Sequence, residues 1–340
     1  MKKKKKKILY IGNKLTKHGK NPTGVEFIGK MLSNSFEVYS FSNKLNPISR
    51  FIDIVLKTIK FAPRVDFVLI DCYSRSYFYI VVAVAFLSKA FRTKYIPILH
   101  GGELANRVKK NPILGKFVFG GSFMNVAPSN YLYSKFEEMN FKVLSIPNVL
   151  PIEKYNFKLR ENYGPKLLFV RSFHEIYNPQ LAVNVLAELI KRYDDVELCM
   201  VGPDTDGTKN ICENLAIDLG IQDRVKFTGK LAKHEWISLS EKYDLFINPT
   251  NFDNTPVSVM EAMALGLAIV STNATGLPYL LKHENVALLS PVKDVSAMVN
   301  SVVRYVENQD FTKKIVNNAR EQVEKYDENI VLSQWETLLK

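Results

Sequence analysis

Short apolar runs alternate along the chain with stretches whose apolar positions recur every three or four residues. In the first half, ILYIG, FEVYSF, FVLID, YIPILH, NVAPS and VLSIPN read as strands, and residues 23–33, 77–91 and 131–139 as helices. Residues 148–165 break the rhythm: they are polar, lack a period and hold Pro151 and Pro165, so a linker is expected over 151–165. The alternation then restarts. KLLFV, VELCMVG, RVKFTG, LFINP and LAIVS read as strands, and 179–192, 209–219, 233–242 and 257–265 as helices, with a helical tail from 292 onward. Strand–helix alternation of this kind predicts parallel sheets covered by helices. The expected fold is α/β: two tandem Rossmann-like domains, 1–150 and 166–322, facing a cleft, with a closing helix over 323–340 that packs back on the first domain. In such sheets ligands bind beyond the carboxyl ends of the strands.

Composition agrees with a folded chain: of 340 residues, 46% are hydrophobic and 24% charged, which excludes disorder as the main reading. The net charge is +12, and it is uneven. Residues 1–160 hold 28 basic and 9 acidic side chains, net +19, while the remainder is net −7. Six of the positive charges are the run Lys2–Lys7. This points to an anionic partner for the first half. Cys72, Cys199 and Cys212 are few, odd in number and without metal-ligand spacing, so a reducing, cytoplasmic setting fits best. The apolar run behind the lysines is four residues long, against the ~7–15 of a signal peptide. The longest apolar run, 77–87, has eleven residues, against the ~20 of a membrane span. A peripheral contact with the inner face of a membrane remains open.

Chemistry gathers at the strand ends. The loop GNKLTKHGKNPTG ends on Gly24 at a helix start, where backbone N–H groups can approach a phosphate or simply form a turn. It lacks G-x-G-x-x-G, which removes the main support for a dinucleotide. His100 ends a strand ahead of Gly101-Gly102, and Arg171 ends KLLFV; arginine suits a bidentate grip on phosphate. The richest segment is FINPTNFDNTPVSVMEAMALGLAIVSTNATG. A helix begins near Pro256-Val257, its free N–H groups form an anion site, and Asp253 and Glu261 stand eight positions apart around it. Asp204 and Asp206 of GPDTDG have D-x-D spacing but read as a solvated turn. There is no H-E-x-x-H, G-x-S-x-G or Walker sequence.

The block FDNTPVSVMEAMALGLAIVSTNATGLP resembles the C-terminal signature of retaining family-4 glycosyltransferases (glycosyl transferases group 1, GT-B fold), and TGVEF, HGGEL, APSNYLYSKF, SIPNV, FVRSF, MVGP and VKFTGKL follow in the order expected of them. The resemblance implies transfer of a sugar from a nucleotide-sugar to a saccharide or lipid-linked saccharide with retention of configuration. It implies cell-surface polysaccharide or glycolipid synthesis, no cofactor and no obligatory metal. By resemblance, Glu261 holds the ribose. Asp253, Asn254, Thr255 and Val257 hold the donor sugar and diphosphate, Ser258 reaches a phosphate, and Arg171 neutralises the leaving group. Gly24 approaches the diphosphate and His100 the donor sugar. The acceptor falls to the basic first half, where Lys2–Lys7, Lys109, Lys110 and the 77–87 helix fit contact with an anionic membrane, an ordinary covered core helix being the favoured reading of 77–87. Two positions depart from the signature: Asp253 stands where Glu is usual, and Ile176 where a Lys is usual, with His174 the nearest basic side chain in the sequence. These departures keep open a degenerate nucleotide- or carbohydrate-binding protein; a nucleotide-sugar epimerase of similar architecture is the other alternative. Nucleic acid is not expected as a partner.

Overall fold

The computed structural model describes residues 5–18 and 23–340, so Lys2–Lys4 of the basic run and residues 19–22 of the first loop lie outside the described residues. The chain divides into two units, residues 1–149 with 328–340, and residues 150–327.

In the first unit the elements run β1 (Lys7–Ile11), α1 (Gly24–Leu32), β2 (Glu37–Phe41), α2 (Pro47–Phe61), β3 (Phe67–Cys72), α3 (Phe78–Ala90), β4 (Lys94–Leu99), α4 (Leu104–Lys110), α5 (Pro112–Gly115), β5 (Asn125–Ala127), α6 (Asn130–Glu138) and β6 (Val143–Ser145). The six strands are parallel in the order β2-β1-β3-β4-β5-β6. β1, β3 and β4 are almost wholly buried, which is why they read as continuous apolar runs. Strand order reverses beside β1, between β2 and β3, which makes the β1/β3 pair the switch point of this sheet. Helix α2 had no counterpart among the sequence expectations. Its start is fixed by Asn46, whose side chain accepts from the N–H groups of Ile48 and Ser49, and by Pro47 in the first turn.

The second unit runs β7 (Lys166–Val170), α7 (Pro179–Leu189), β8 (Glu197–Val201), α8 (Thr208–Asp218), β9 (Val225–Gly229), α9 (Lys233–Ser240), β10 (Leu245–Asn248), α10 (Val257–Leu265), β11 (Ala268–Thr272), α11 (Leu277–Leu280), β12 (Leu288–Ser290), α12 (Val295–Glu307) and α13 (Gln309–Glu324). Its strands are parallel in the order β12-β11-β10-β7-β8-β9, with the reversal at β7, between β8 and β10. The segment 151–165 lies within this unit. Most of its polar side chains are exposed, but Arg160 is buried, donating to the carbonyls of Tyr243, Gly266, Ser240 and Lys158 and pairing with Asp244 at 3.1 Å. A buried guanidinium needs that many acceptors.

α14 (Glu328–Leu338) returns to the first unit, where Val331, Trp335 and Leu339 are buried in one core with Ile28 and Leu32 of α1 and Ile96 and Ile98 of β4. Among the described residues, no helix is long and apolar enough to cross a membrane.

Candidate functional site

The two switch points each gather polar side chains. In the second unit Arg171 follows directly on β7 and Asp253 lies in the loop after β10, so the two groups stand on either side of the sheet's reversal. They pair, Nη2 to Oδ2, at 2.5 Å, and the guanidinium also lies 4.3 Å over the Tyr177 ring. Burial pushes the Asp253 carboxyl above the usual aspartate range, opposed by Arg171 and by the Asn254 N–H that Asp253 accepts at 2.8 Å. The turn is held from below by Gly276, whose N–H donates to the Asp253 carbonyl at 2.9 Å. A Cβ on Gly276 would come within 2.4 Å of the Asn254 carbonyl oxygen, so the glycine of the T-G-L-P tail is needed for this approach.

Thr255 and Pro256 carry the chain into α10, whose first turn no side chain caps. Val257 is exposed there and Ser258 half-buried. Two buried polar atoms of this cluster, Arg171 Nε and Ser258 Oγ, have no hydrogen-bond partner within the protein. Polar atoms left unmatched at a helix N-terminus are what an oxyanion would satisfy. One and a quarter turns into α10, Glu261 is buried, accepts from the Tyr155 hydroxyl at 2.9 Å and pairs with Lys233, the first residue of α9. Neither Tyr155 nor Lys233 was singled out in the sequence. Tyr155 sits in the segment read as a linker, and Lys233 is distant from Glu261 along the chain.

Ile176, at the position where a lysine was expected, is more than one-third exposed; its carbonyl accepts from Asn251 N–H and Thr250 hydroxyl, joining this loop to the one that carries Asp253. His174 is spent locally: Nδ1 accepts from Ile176 N–H at 3.1 Å and stands 3.7 Å from Asp206. Asp206 also accepts from Glu175 N–H and Thr208, and Asp204 from Gly207 N–H. Both acids of GPDTDG therefore tie a turn. Among the described residues, no three His, Cys, Asp or Glu side chains gather as metal ligands would.

In the first unit the focus is Asp71, a fully buried carboxylate on β3. Its Oδ1 accepts from the Tyr10 hydroxyl of β1 at 2.9 Å and lies 2.9 Å from His100 Nε2, just beyond β4; its Oδ2 is buried without a partner. Tyr73 stacks on the His100 ring at 5.6 Å, and burial together with the Asp71 charge pushes the Tyr10, Tyr73 and Tyr77 phenols up. The backbone closes over this network. A Cβ on Gly24, the first residue of α1, would stand 3.0 Å from His100 Nε2 and 3.2 Å from Asp71 Oδ1, and one on Gly12 would stand 2.4 Å from Asp71 Oδ2. The structure thus brings Gly24 and His100 together through Asp71, which sequence reasoning missed. The available signal was a lone carboxylate within the apolar run FVLIDC.

The family description "Glycosyl transferases group 1" matches residues 151–322, half of the chain. The chain belongs to this family. It is 25% identical over 276 residues to the N-acetyl-alpha-D-glucosaminyl L-malate synthase of Bacillus anthracis, covering 75% of this chain and 70% of that protein. It is 26% identical over 197 residues to the amylovoran biosynthesis glycosyltransferase AmsK of Erwinia amylovora, covering 55% of this chain and 48% of AmsK. The chain thus spans 70% of the first relative and about half of the second. Among solved structures, HepE of Anabaena in complex with UDP superposes with a TM-score of 0.76 at 17% identity, over 97% of this chain and 98% of that one. The group 1 chain therefore has the GT-B fold expected from its sequence.

Proposed function

We propose that this group 1 glycosyltransferase moves a sugar from a nucleotide-sugar to a saccharide or lipid-linked saccharide acceptor, with retention of configuration and without an obligatory metal, in the assembly of cell-surface polysaccharide or glycolipid. The observation that carries the reading is the Arg171–Asp253 pair beside the uncapped start of α10, with the buried Glu261 just beyond it. HepE in complex with UDP, and the same protein with UDP-glucose, support a nucleotide-sugar as donor.

The chemistry follows from where charge develops. The bond from the anomeric carbon to the diphosphate oxygen breaks, and its electron pair stays on that oxygen. Arg171 and the N–H groups at the start of α10, from Val257 and Ser258 onward, stabilise the charge; Ser258 Oγ donates to a phosphate oxygen. Pro256 offers no N–H. The acceptor oxygen bonds to the anomeric carbon from the same face, and its proton passes to the departing phosphate oxygen. Asp253, Asn254 and Thr255 hold the sugar and diphosphate. Glu261 accepts from the ribose hydroxyls in place of the Tyr155 and Lys233 donors it holds now. Gly24 lends backbone to the diphosphate, and His100 meets the donor sugar in an orientation set by Asp71.

The test is a panel of UDP-, GDP- and ADP-sugars screened by thermal shift, then turnover on the best binder with the anomeric linkage of the product read by NMR. A stabilising nucleotide-sugar and a retained linkage are expected. Inverted linkages would sink the same-face mechanism, and binding without turnover on any acceptor would leave a carbohydrate-binding protein instead.

A further inference from the structure

Arg171 carries its charge beside the start of α10 without the lysine expected at 176: Ile176 stands there, and His174 is spent on its own turn. The aim of this one guanidinium therefore matters. Its backbone is fixed. The Arg171 N–H donates to the Val201 carbonyl at 3.0 Å, and a Cβ on Gly202, just after β8, would stand 1.8 Å from the Arg171 carbonyl oxygen. Among the described residues, the side chain has one polar partner, Asp253 through Nη2, and its buried Nε has none. A single hydrogen bond leaves a planar guanidinium free to turn about it. The second constraint is the Tyr177 ring, whose centre lies 4.3 Å from the guanidinium carbon. That contact uses none of the five N–H donors of an arginine, so it stays in place when an anionic ligand displaces Asp253.

Tyr177 is held from outside its own loop. It ends the single helical turn Glu175–Tyr177, whose carbonyls are gripped by the loop after β10. Asn251 N–H donates to Ile176 at 2.8 Å and the Asn251 side chain to Glu175 at 3.3 Å. The fully buried Thr250 hydroxyl shares its proton between the carbonyls of Ile176, at 3.2 Å, and Phe252, at 3.1 Å. Asn178 follows in the left-handed conformation, φ 47°, and donates to Asn251 Oδ1 at 3.4 Å. Thr272, at the end of β11, donates to the Thr250 carbonyl at 2.6 Å. The ends of β7, β10 and β11 are thus tied behind one ring. Packing does not account for that ring: it is partly exposed and belongs to neither apolar core of this unit, and its aromatic neighbour is His174.

We infer that Tyr177 is a positioning residue of the transfer reaction. Its ring sets the plane of the Arg171 guanidinium and leaves the N–H donors to the departing diphosphate, and Thr250 with Asn251 holds the ring there. Position 176 serves through its carbonyl, as the anchor of this loop. The role in turnover rests on the transferase reading; the grip of the ring on Arg171 does not.

The test reads the Arg171 Nε–H signal by proton–nitrogen correlation NMR in the full chain without ligand, assigned by its loss in Arg171→Lys. Against a ring face the signal is expected upfield of the ordinary arginine position, to move back toward it in Tyr177→Leu and to stay in place in Tyr177→Phe. Thr250→Val, which removes one buried hydroxyl, is expected to shift or broaden it, and Thr250→Ser to restore it. On the nucleotide-sugar that the wild type turns over, Tyr177→Leu should lower kcat about tenfold while the donor KM stays within about threefold, and Tyr177→Phe should recover most of kcat. Melting curves matching the parent chain confirm that the variants fold; should Tyr177→Leu fail there, Thr250→Val against Thr250→Ser decides. Three results overturn the inference: an Arg171 signal unmoved in Tyr177→Leu, a kcat in Tyr177→Leu equal to wild type, or a loss in Tyr177→Phe as large as in Tyr177→Leu. A wild type that turns over no nucleotide-sugar removes the transferase reading and with it the role in turnover, while the NMR signal still decides whether the ring holds the arginine.

Discussion

The two units use the same place in a parallel sheet for a carboxylate, and treat it differently. In the second unit Asp253 is on a loop, paired with a partly exposed arginine beside an open helix start. In the first unit Asp71 is inside a strand, wholly buried, and its partners are a tyrosine and a histidine. A carboxylate against a guanidinium at a loop can exchange its partner for an anionic ligand, because both groups can be resolvated as the pair opens. A carboxylate sealed in a strand cannot leave, so its use is to fix the ring that reaches past it. Switch-point geometry thus supplies a position, and the local partners decide whether that position binds or orients.

The contrast can be broken at either end. Arg171→Ala has the largest expected effect, a loss of about 10²–10³ in turnover with weakened nucleotide diphosphate binding by calorimetry, partly recovered in Arg171→Lys. Unchanged turnover in Arg171→Ala would remove the second unit's cluster from the reaction. Asp71→Asn keeps the shape and removes the charge; kcat should fall about 10- to 100-fold with nucleotide affinity held within about twofold. An equal loss in nucleotide affinity would erase the distinction between a binding and an orienting carboxylate. Glu261→Gln should raise the nucleotide Kd about tenfold and leave kcat nearly unchanged, since one charge-assisted contact to the ribose is weakened. The smallest effect concerns pH. The fold favours the protonated Asp253, so this group's contribution to stability is full below the ordinary aspartate range and is lost as pH rises through its elevated pKa. The melting temperature of Asp253→Asn relative to wild type should therefore climb by about a degree or two between acid and neutral pH. A difference that falls over that interval would mean that Arg171 outweighs burial at this site.

Most of this architecture is legible in the chain because β1, β4, β7 and β10 are apolar runs followed in turn by glycine, histidine, arginine and a polar loop. The second unit's cluster is legible for a further reason: Asp253, Asn254, Ser258 and Glu261 are near neighbours in sequence, so one segment displays the whole pattern. Asp71 was hidden by its success in burial, a single polar letter in a strand whose partners are Tyr10 on β1 and His100 just beyond β4. Lys233 and Tyr155 escaped because only the tertiary fold brings them to Glu261. Helix α2 escaped because its apolar residues point both inward and outward, which spoils the single stripe that marks an ordinary covering helix.

The return of α14 to the first unit sets an order of events during synthesis. The first 149 residues leave the ribosome early, yet their core includes Val331, Trp335 and Leu339. The second unit, made later, is contiguous from residue 150 to 327 and has every part of its core before α14 exists. The half begun first is therefore finished last, and until Trp335 emerges α1 has an uncovered apolar flank that chaperones or the nascent second unit must tolerate.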